Sequence, residues 1–306
     1  MPACDRARTA PSEVTVPAVN EHEAAESSVQ RTVRLDLAYR GTGFRGFAAN
    51  EGVRTVAGEL SPALERILGE APVLTVAGRT DAGVHATAQV VSFRMGGEGL
   101  RRITGNRNGD NQPEGQSDNV GGRGRLERLA SSLNRLLNPE IAVTAASLAE
   151  DSFDARHSAT ARAYEYRVRN AAYPDPRCAD LEWHIAAPLD IGEMNAAAGH
   201  LVGEHDFTSF CRRPKDRPDA SLVRTVSAAR WSGDGTELLF EIEANAFCHQ
   251  MVRAIVGQCV AVGRGDRGAG DVPAVLAARS RDWAAAIAPP HGLTLVAVRY
   301  PGELSR

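Results

Sequence analysis

Residues 74–93 read LTVAGRTDAGVHATAQVVSF, and this stretch predicts a strand, a short loop and a second strand. Apolar and β-branched residues dominate the predicted strands at 73–79 and 88–94, whereas Gly78 and Gly83 bracket the polar loop. Arg79 and Asp81 are two residues apart, so both side chains point the same way if the chain stays extended. A neighbouring arginine favours an ionised carboxylate in a partly dehydrated cleft. Asp81 is therefore a candidate nucleophile for attack on a sugar or a base.

A purely structural interpretation of this loop is also open. Thr80, Asp81, Ala82 and Gly83 have the composition of an ordinary turn, in which the aspartate hydrogen-bonds its own backbone and the glycine adopts a positive φ. The four residues alone favour the turn. The longer string GRTDAGVHA at 78–86 favours a catalytic role.

Length, composition and charge set broad limits. The chain has 306 residues, 43% hydrophobic content and a formal net charge of −3. This length allows one large or two ordinary globular domains. The charge shows no overall basic signature of a protein that holds nucleic acid by charge alone. Without a run of about eighteen apolar residues or a secretory signal pattern, the sequence predicts a cytoplasmic protein with no membrane partner.

The cysteines predict neither disulfides nor a metal site. Their odd number and the lack of a Cys-x-x-Cys pair are typical of reduced, structural thiols. They are Cys4, Cys178, Cys211, Cys248 and Cys259.

Hydrophobic periodicity predicts the order of the secondary-structure elements. Further strands are expected at residues 33–39, 141–148, 161–169, 223–231, 237–244 and 293–300, and helices at 56–68, 126–137, 191–202 and 248–262. The start of the first helix is left open, because Pro62 can lie inside it or follow Ser61 as its first residue. Two successive sets of strands and helices predict an α+β protein with helices on one face of a mainly antiparallel sheet.

Two segments are expected to carry no chemistry. Residues 1–30 have the composition of a disordered leader, and residues 96–124, with nine glycines, that of a flexible insertion. The rest divides into an N-terminal α+β subdomain at 31–150 and a C-terminal one at 151–306.

The string GRTDAGVHA resembles the signature of the TruA family of tRNA pseudouridine synthases. The resemblance implies that Asp81 is the nucleophile, that Arg79 pairs with it and fills the place of a flipped base, and that His85 binds substrate. It extends over residues 31–301. It also implies two ferredoxin-like halves, with helices on one face of the sheet and an RNA-binding cleft on the other.

Later segments are similar to further motifs of this family, in the same order. FDARHSATARAYEY at 153–166 implies that Tyr164 stacks on the target uracil, and the period of two places Arg162 on the same strand face. GLTLVAV at 292–298 implies that Leu293 or Leu295 forms an apolar floor under the base, and Leu295 is taken as the site residue. Sheet packing remains the alternative role of Tyr164.

Two more segments complete the resemblance. GEHDFTSF at 203–210 is similar to a family segment, and ANAFCHQMVR at 244–253 implies that Arg253 contacts Asp81 or RNA phosphate. A solvated helix charge is the alternative role of Arg253. The sequence departs from the family at Arg40, where aspartate is usual, and at Phe47 and Ala48, where Trp-Gln is common.

The resemblance implies an isomerase that detaches uracil from ribose and rejoins it through carbon five. Its substrates would be uridines at positions 38–40 of the tRNA anticodon stem-loop. It would need no redox cofactor and no metal, and it would act as a homodimer that binds tRNA across both subunits.

Three other classes of protein are weighed against this interpretation. GTGFRG at 41–46 formally fits a dinucleotide-binding pattern, but helical periodicity begins about ten residues too late. A non-catalytic RNA-binding sheet could use Tyr164 and Tyr166 as stacking platforms, which would leave Arg79 and Asp81 without a role. A metal enzyme lacks suitable ligand spacing.

Overall fold

The computed structural model describes residues 30–96, 99, 102–103, 118–137, 139–214 and 217–303. Its strands are β1 (Arg31–Tyr39), β2 (Thr75–Val76), β3 (His85–Met95), β4 (Ile141–Ala149), β5 (Ala161–Arg169), β6 (Trp183–His184), β7 (Gly203–Asp206), β8 (Val223–Gly233), β9 (Glu237–Ala244) and β10 (Leu293–Arg299). Its α-helices are α1 (Val56–Leu68), α2 (Asp118–Leu137), α3 (Ile191–Gly199), α4 (Met251–Gly263) and α5 (Val272–Ala278). None of these helices is long and apolar enough to cross a membrane.

The strands form one sheet in the order β4-β1-β3-β10-β5-β9-β8-β7, with β2 paired to β3 and β6 to β5. The pairings are antiparallel except β10 with β3 and β5 with β6. The predicted α+β class with a mainly antiparallel sheet is confirmed. The last strand of the chain, β10, lies between β3 and β5, so the two halves share one sheet. The predicted division near residue 150 stays a prediction.

A row of side chains crosses the centre of this sheet on one face. Tyr39 of β1 pairs with Ala86 of β3, Ala86 with Leu295 of β10, and Leu295 with Tyr164 of β5. Residues that face each other in register lie on the same side of a sheet. Segments that are far apart in the sequence therefore meet on one face.

The helices cover this same face. In β1, Val33, Leu35 and Leu37 alternate with less buried residues and belong to the core. On the other half, Trp231 of β8 is paired with Phe240 of β9, and Cys259 of α4 lies beside the Trp231 indole. Burial of these large side chains against the helices supplies the main driving force of folding.

Helix α1 answers the question about Pro62. The helix begins at Val56 after the cap Thr55, whose hydroxyl accepts the Gly58 N–H at 3.1 Å, and Pro62 lies inside it. The helix tolerates the lost backbone hydrogen bond because its apolar stripe, Leu60, Leu64 and Leu68, is buried.

The other predicted elements agree with the structure except at a few places. The strand expected at 73–79 is only the two residues of β2, because the chain bends immediately after Val76. Residues 118–124 of the expected insertion belong to α2. Most of the remainder of that insertion, and residues 1–29 of the expected leader, lie outside the described residues. Strands β6 and β7 and helix α5 were missed, since each is too short to show a period.

The prediction that all cysteines are reduced is wrong for one pair. Cys211 and Cys248 form a disulfide, with their Cα atoms 5.8 Å apart, whereas Cys178 and Cys259 are free. The pair is separated by 37 residues, and only the tertiary structure brings these segments together.

Candidate active site

The loop that carries Asp81 is held from below by buried polar side chains. The Thr80 and Tyr39 hydroxyls hydrogen-bond at 2.8 Å, and Gln89 donates to the Gly78 carbonyl at 2.7 Å. Gly83 has a φ of +80°, and a Cβ there would come within 3.0 Å of a Pro290 side-chain atom. The loop is thus a turn, as the structural interpretation holds, and it is also fixed against the sheet.

Each carboxylate oxygen of Asp81 has one nitrogen partner. His249 Nε2 lies 3.3 Å from Oδ1, and Arg253 Nη1 donates to Oδ2 at 3.2 Å. Burial by itself would raise the pKa of Asp81, but the hydrogen bond and charge of His249 and then the charge of Arg253 outweigh it. The pKa of Asp81 therefore lies below its usual value, and the carboxylate is ionised at neutral pH. Arg253 is thus placed beside Asp81, one of its two expected contacts.

The predicted pairing of Arg79 with Asp81 is wrong. Within the described residues, Arg79 is exposed and makes no hydrogen bond or ion pair. The prediction assumed an extended chain, whereas β2 ends at Val76 and Asp81 enters a turn in which its carbonyl accepts the Val84 N–H at 3.2 Å. The Asp81 carboxylate is directed to His249 and Arg253 instead.

Tyr164 lies at the expected place on the sheet, next to Leu295. Its ring makes an edge contact with Phe247, with centroids 5.1 Å apart at 89°. Its hydroxyl oxygen lies 4.0 Å from where a Cβ on Gly78 would be, and it makes no hydrogen bond to any described residue. Burial, followed by the negative charges of Tyr39 and Asp81, raises the pKa of Tyr164 well above its usual value. Leu295 is fully buried beneath it.

Arg162 does not face an open cleft, so its predicted contact with substrate is corrected. Its guanidinium donates to the carbonyls of Ala77, Arg156, Ala159 and Asn245 at distances of 2.7 to 3.3 Å. Every nitrogen is engaged by backbone, and burial lowers the pKa of the group. Arg162 therefore ties together the three segments that surround the Asp81 loop.

His85 is also a structural residue rather than a free substrate ligand. Its Nδ1 accepts the Gly41 N–H at 3.1 Å, and its Nε2 faces the carbonyls of Asp180 and His291 at 3.0 and 3.1 Å. These contacts require a proton on Nε2 and a lone pair on Nδ1, which is the neutral ring. Burial lowers the pKa of His85, in agreement with that state.

Several site groups lie on the side of the sheet that carries α4. Tyr164 and Leu295 share the face that packs against the helices, and Arg253 belongs to α4 itself.

Arg40, at the position where the family usually has aspartate, has an acidic partner in the structure. Arg40 makes two hydrogen bonds to Asp180, at 3.0 and 2.6 Å, and Thr42 donates to the same carboxylate at 3.1 Å. The Gly41–Gly43 segment is a 3-10 turn, and α1 begins only at Val56. The dinucleotide-binding alternative is therefore wrong, because no helix N-terminus lies at these glycines.

The remaining alternatives find no support in the described residues. Tyr166 is fully buried and donates its hydroxyl to the Pro289 carbonyl at 2.8 Å, so it is not a stacking platform. Across the described ranges, no three His, Cys, Asp or Glu side chains are grouped so that they could hold a metal ion.

His249, Phe247 and Gln89 were missed in the sequence as parts of this site. His249 and Phe247 lie inside the segment 244–253, so their nearness to Arg253 in the sequence was a usable signal. Gln89 gave a weaker one, as a polar residue within an otherwise apolar strand.

The family model described as tRNA pseudouridine synthase matches residues 197–301. The tRNA pseudouridine synthase A of Leifsonia xyli is 41% identical over 282 residues, covering 89% of this chain and 93% of that protein. The corresponding proteins of Frankia casuarinae and Moorella thermoacetica are 42% and 36% identical, covering 89% and 88% of this chain and 90% and 99% of theirs.

Among solved structures, a chain in a crystal structure of a Cbf5–Nop10–Gar1 complex matches with a TM-score of 0.27 and 11% identity, over 78% of this chain and 56% of that chain. The resemblance found in the motifs is confirmed by the curated relatives, which span nearly the full length of the chain. The chain belongs to the tRNA pseudouridine synthase A family.

Proposed function

We propose that this protein is an isomerase that converts uridine to pseudouridine at positions 38–40 of the tRNA anticodon stem-loop, with Asp81 as its nucleophile. The observation that supports this most is the ionised Asp81 carboxylate, held by His249 and Arg253 and near enough to the buried Tyr164 for its charge to raise the pKa of that phenol. The family relationship supplies the substrate class.

The chemistry uses groups of this chain alone. A carboxylate oxygen of Asp81 bonds to ribose C1′ as the bond between C1′ and uracil N1 breaks, and the base turns. Carbon five then bonds to C1′ as the bond between C1′ and the Asp81 oxygen breaks, C5 loses its proton, and N1 gains one. The low pKa of Asp81 keeps the nucleophile ionised, and the Tyr164 ring provides a surface for the turning base.

The target uridine has to leave its stem before it can reach Asp81. Flipping costs a few kcal/mol of unstacking. Arg79 is exposed on the loop two residues before Asp81, and it makes no ion pair with any described residue. We assign it the space that the base vacates, where its planar guanidinium can stack between neighbouring bases.

Arginines rather than net charge are proposed to hold the tRNA. Arg45 and Arg212 are exposed, and backbone hydrogen bonds connect the segment of each to the site. Near Arg45, the Phe47 N–H donates to the Thr80 carbonyl at 3.2 Å, and the Arg212 N–H itself donates to the His249 carbonyl at 2.9 Å. Phosphate contacts of this kind make affinity fall steeply with salt. On this proposal the enzyme works in the cytoplasm as a homodimer.

The test is to map pseudouridine in tRNA incubated with the protein and with Asp81→Asn. The variant should form no pseudouridine and keep tRNA affinity within about twofold, since phosphate contacts dominate binding. Asp206→Asn is the matched control, because Asp206 also pairs with an arginine, Arg279 at 3.1 Å, outside the site. Pseudouridine formation by Asp81→Asn would refute the nucleophile assignment.

A further inference from the structure

The two partners of Asp81 are not equivalent. The Arg253 side chain is 15% exposed, and its Nε also donates to the Ala288 carbonyl at 2.8 Å, so it is fixed at two points. The His249 side chain is 45% exposed, and Asp81 is its side-chain partner in the described part of the chain. Oδ2 of Asp81 therefore faces a fixed interior cation, and Oδ1 faces a ring at the open side of the site.

The backbone around His249 is nevertheless firmly placed. Its carbonyl accepts the Arg212 N–H at 2.9 Å, and the preceding Cys248 is bonded to Cys211. The following Gln250 has a φ of +68°, which turns the chain sharply into α4. Such a left-handed residue outside glycine is uncommon and persists where surrounding structure holds it. These contacts fix the Cα of His249 and leave its imidazole directed at Asp81.

We propose that His249 is a positioning residue of the reaction, an inference that rests on the proposed function. Its Nε2–H orients the Asp81 carboxylate so that Oδ1 faces the open side of the site while Arg253 holds Oδ2. Oδ1 is then the oxygen that bonds to the nucleotide. The exposed imidazole can rotate away from Oδ1 as the sugar arrives. Arg253 cannot do so, because two hydrogen bonds hold its guanidinium.

The inference predicts which chemical property of residue 249 matters. A side chain that can donate a hydrogen bond from the position of Nε2 should orient Asp81, and an apolar side chain of similar size should not. His249→Gln keeps a donor at about that position, and His249→Leu removes it. Because the ring is half exposed, neither change disturbs the core.

The experiment measures single-turnover pseudouridine formation, tRNA affinity and melting temperature for wild type and both variants. His249→Leu should lower the rate at least about tenfold, which corresponds to about 1.4 kcal/mol of barrier, with affinity and melting temperature unchanged. His249→Gln should recover most of the rate. His205→Leu is the control, since His205 is also partly exposed and the hydrogen bond of its ring within the described residues goes to the Val202 carbonyl, at 3.1 Å.

Each other outcome overturns a definite statement. A wild-type rate in His249→Leu, with Asp81→Asn inactive, would refute the role of His249 and leave the proposed function intact. Equal losses of rate in both His249 variants, accompanied by lower melting temperatures, would show a structural role only. Activity in Asp81→Asn would instead refute the proposed nucleophile.

Discussion

The Tyr164 hydroxyl can be separated from its ring by the single change Tyr164→Phe. The ring stays, with its edge contact to Phe247, so stacking on the base, worth about 1 to 3 kcal/mol, should be retained. The hydroxyl makes no hydrogen bond to any described residue, so its loss should change the free energy of unfolding by less than about 0.5 kcal/mol. If this hydroxyl takes part in proton transfer during isomerisation, the rate should fall about a hundredfold.

Tyr166→Phe is the matched control, because Tyr166 lies on the same face of β5. Its hydroxyl donates to the Pro289 carbonyl at 2.8 Å, and its removal leaves that carbonyl without its partner. This variant should lose about 1 to 3 kcal/mol of unfolding free energy and keep a rate near that of wild type. The two variants should therefore behave in opposite ways: Tyr164→Phe should lose rate, and Tyr166→Phe should lose stability.

The assay combines single-turnover kinetics on tRNA with urea unfolding of both variants. Because burial raises the pKa of Tyr164, its phenol is neutral at assay pH and acts as a hydrogen-bond or proton donor rather than as a phenolate. Small, equal effects of both changes on the rate would refute the reasoning and return Tyr164 to a sheet-packing role.

Three further predictions concern stability. Burial raises the pKa of Tyr39 to about 12, so the stability that its neutral form provides is present below pH 10 and lost as pH rises. In urea unfolding, this group should lower the free energy of unfolding by up to about 1.4 kcal/mol for each pH unit above 10, and Tyr39→Phe should remove this pH dependence. The lowered pKa of Asp81 makes stability depend on pH in the opposite direction: the stabilising effect is present above about pH 4 and is lost as pH falls through the lowered pKa. The difference in unfolding free energy between wild type and Asp81→Asn should therefore shrink in acid. A difference that does not change with pH would contradict this prediction. Replacing Cys211 and Cys248 by serine should lower the free energy of unfolding of the oxidised protein by about 3 to 4 kcal/mol, as expected for a disulfide between residues 37 apart. A thiol titration that finds both cysteines free would refute the disulfide.

The sequence by itself determined the local structure and singled out the loop that carries Asp81. Period-two alternation located β1, β5 and β9 almost to the residue, because a half-buried strand shows its buried face in every second position. The string at 78–86 and the turn residue Gly83 identified the loop of Asp81, since a tight turn places specific demands on consecutive residues.

Only the tertiary structure decided which charges meet Asp81. The sequence offered Arg79, two residues away, but Arg79 is exposed and makes no ion pair among the described residues. The actual partner, Arg253, is 172 residues away, and it arrives because β10 joins the two halves into one sheet and α4 packs on the shared face. The structural roles of Arg162 and His85 could not be predicted for the same reason, because their partners are backbone carbonyls of segments that are far away in the sequence. Spacing along a chain fixes directions only within one regular element, whereas contacts between elements depend on how their buried faces pack together.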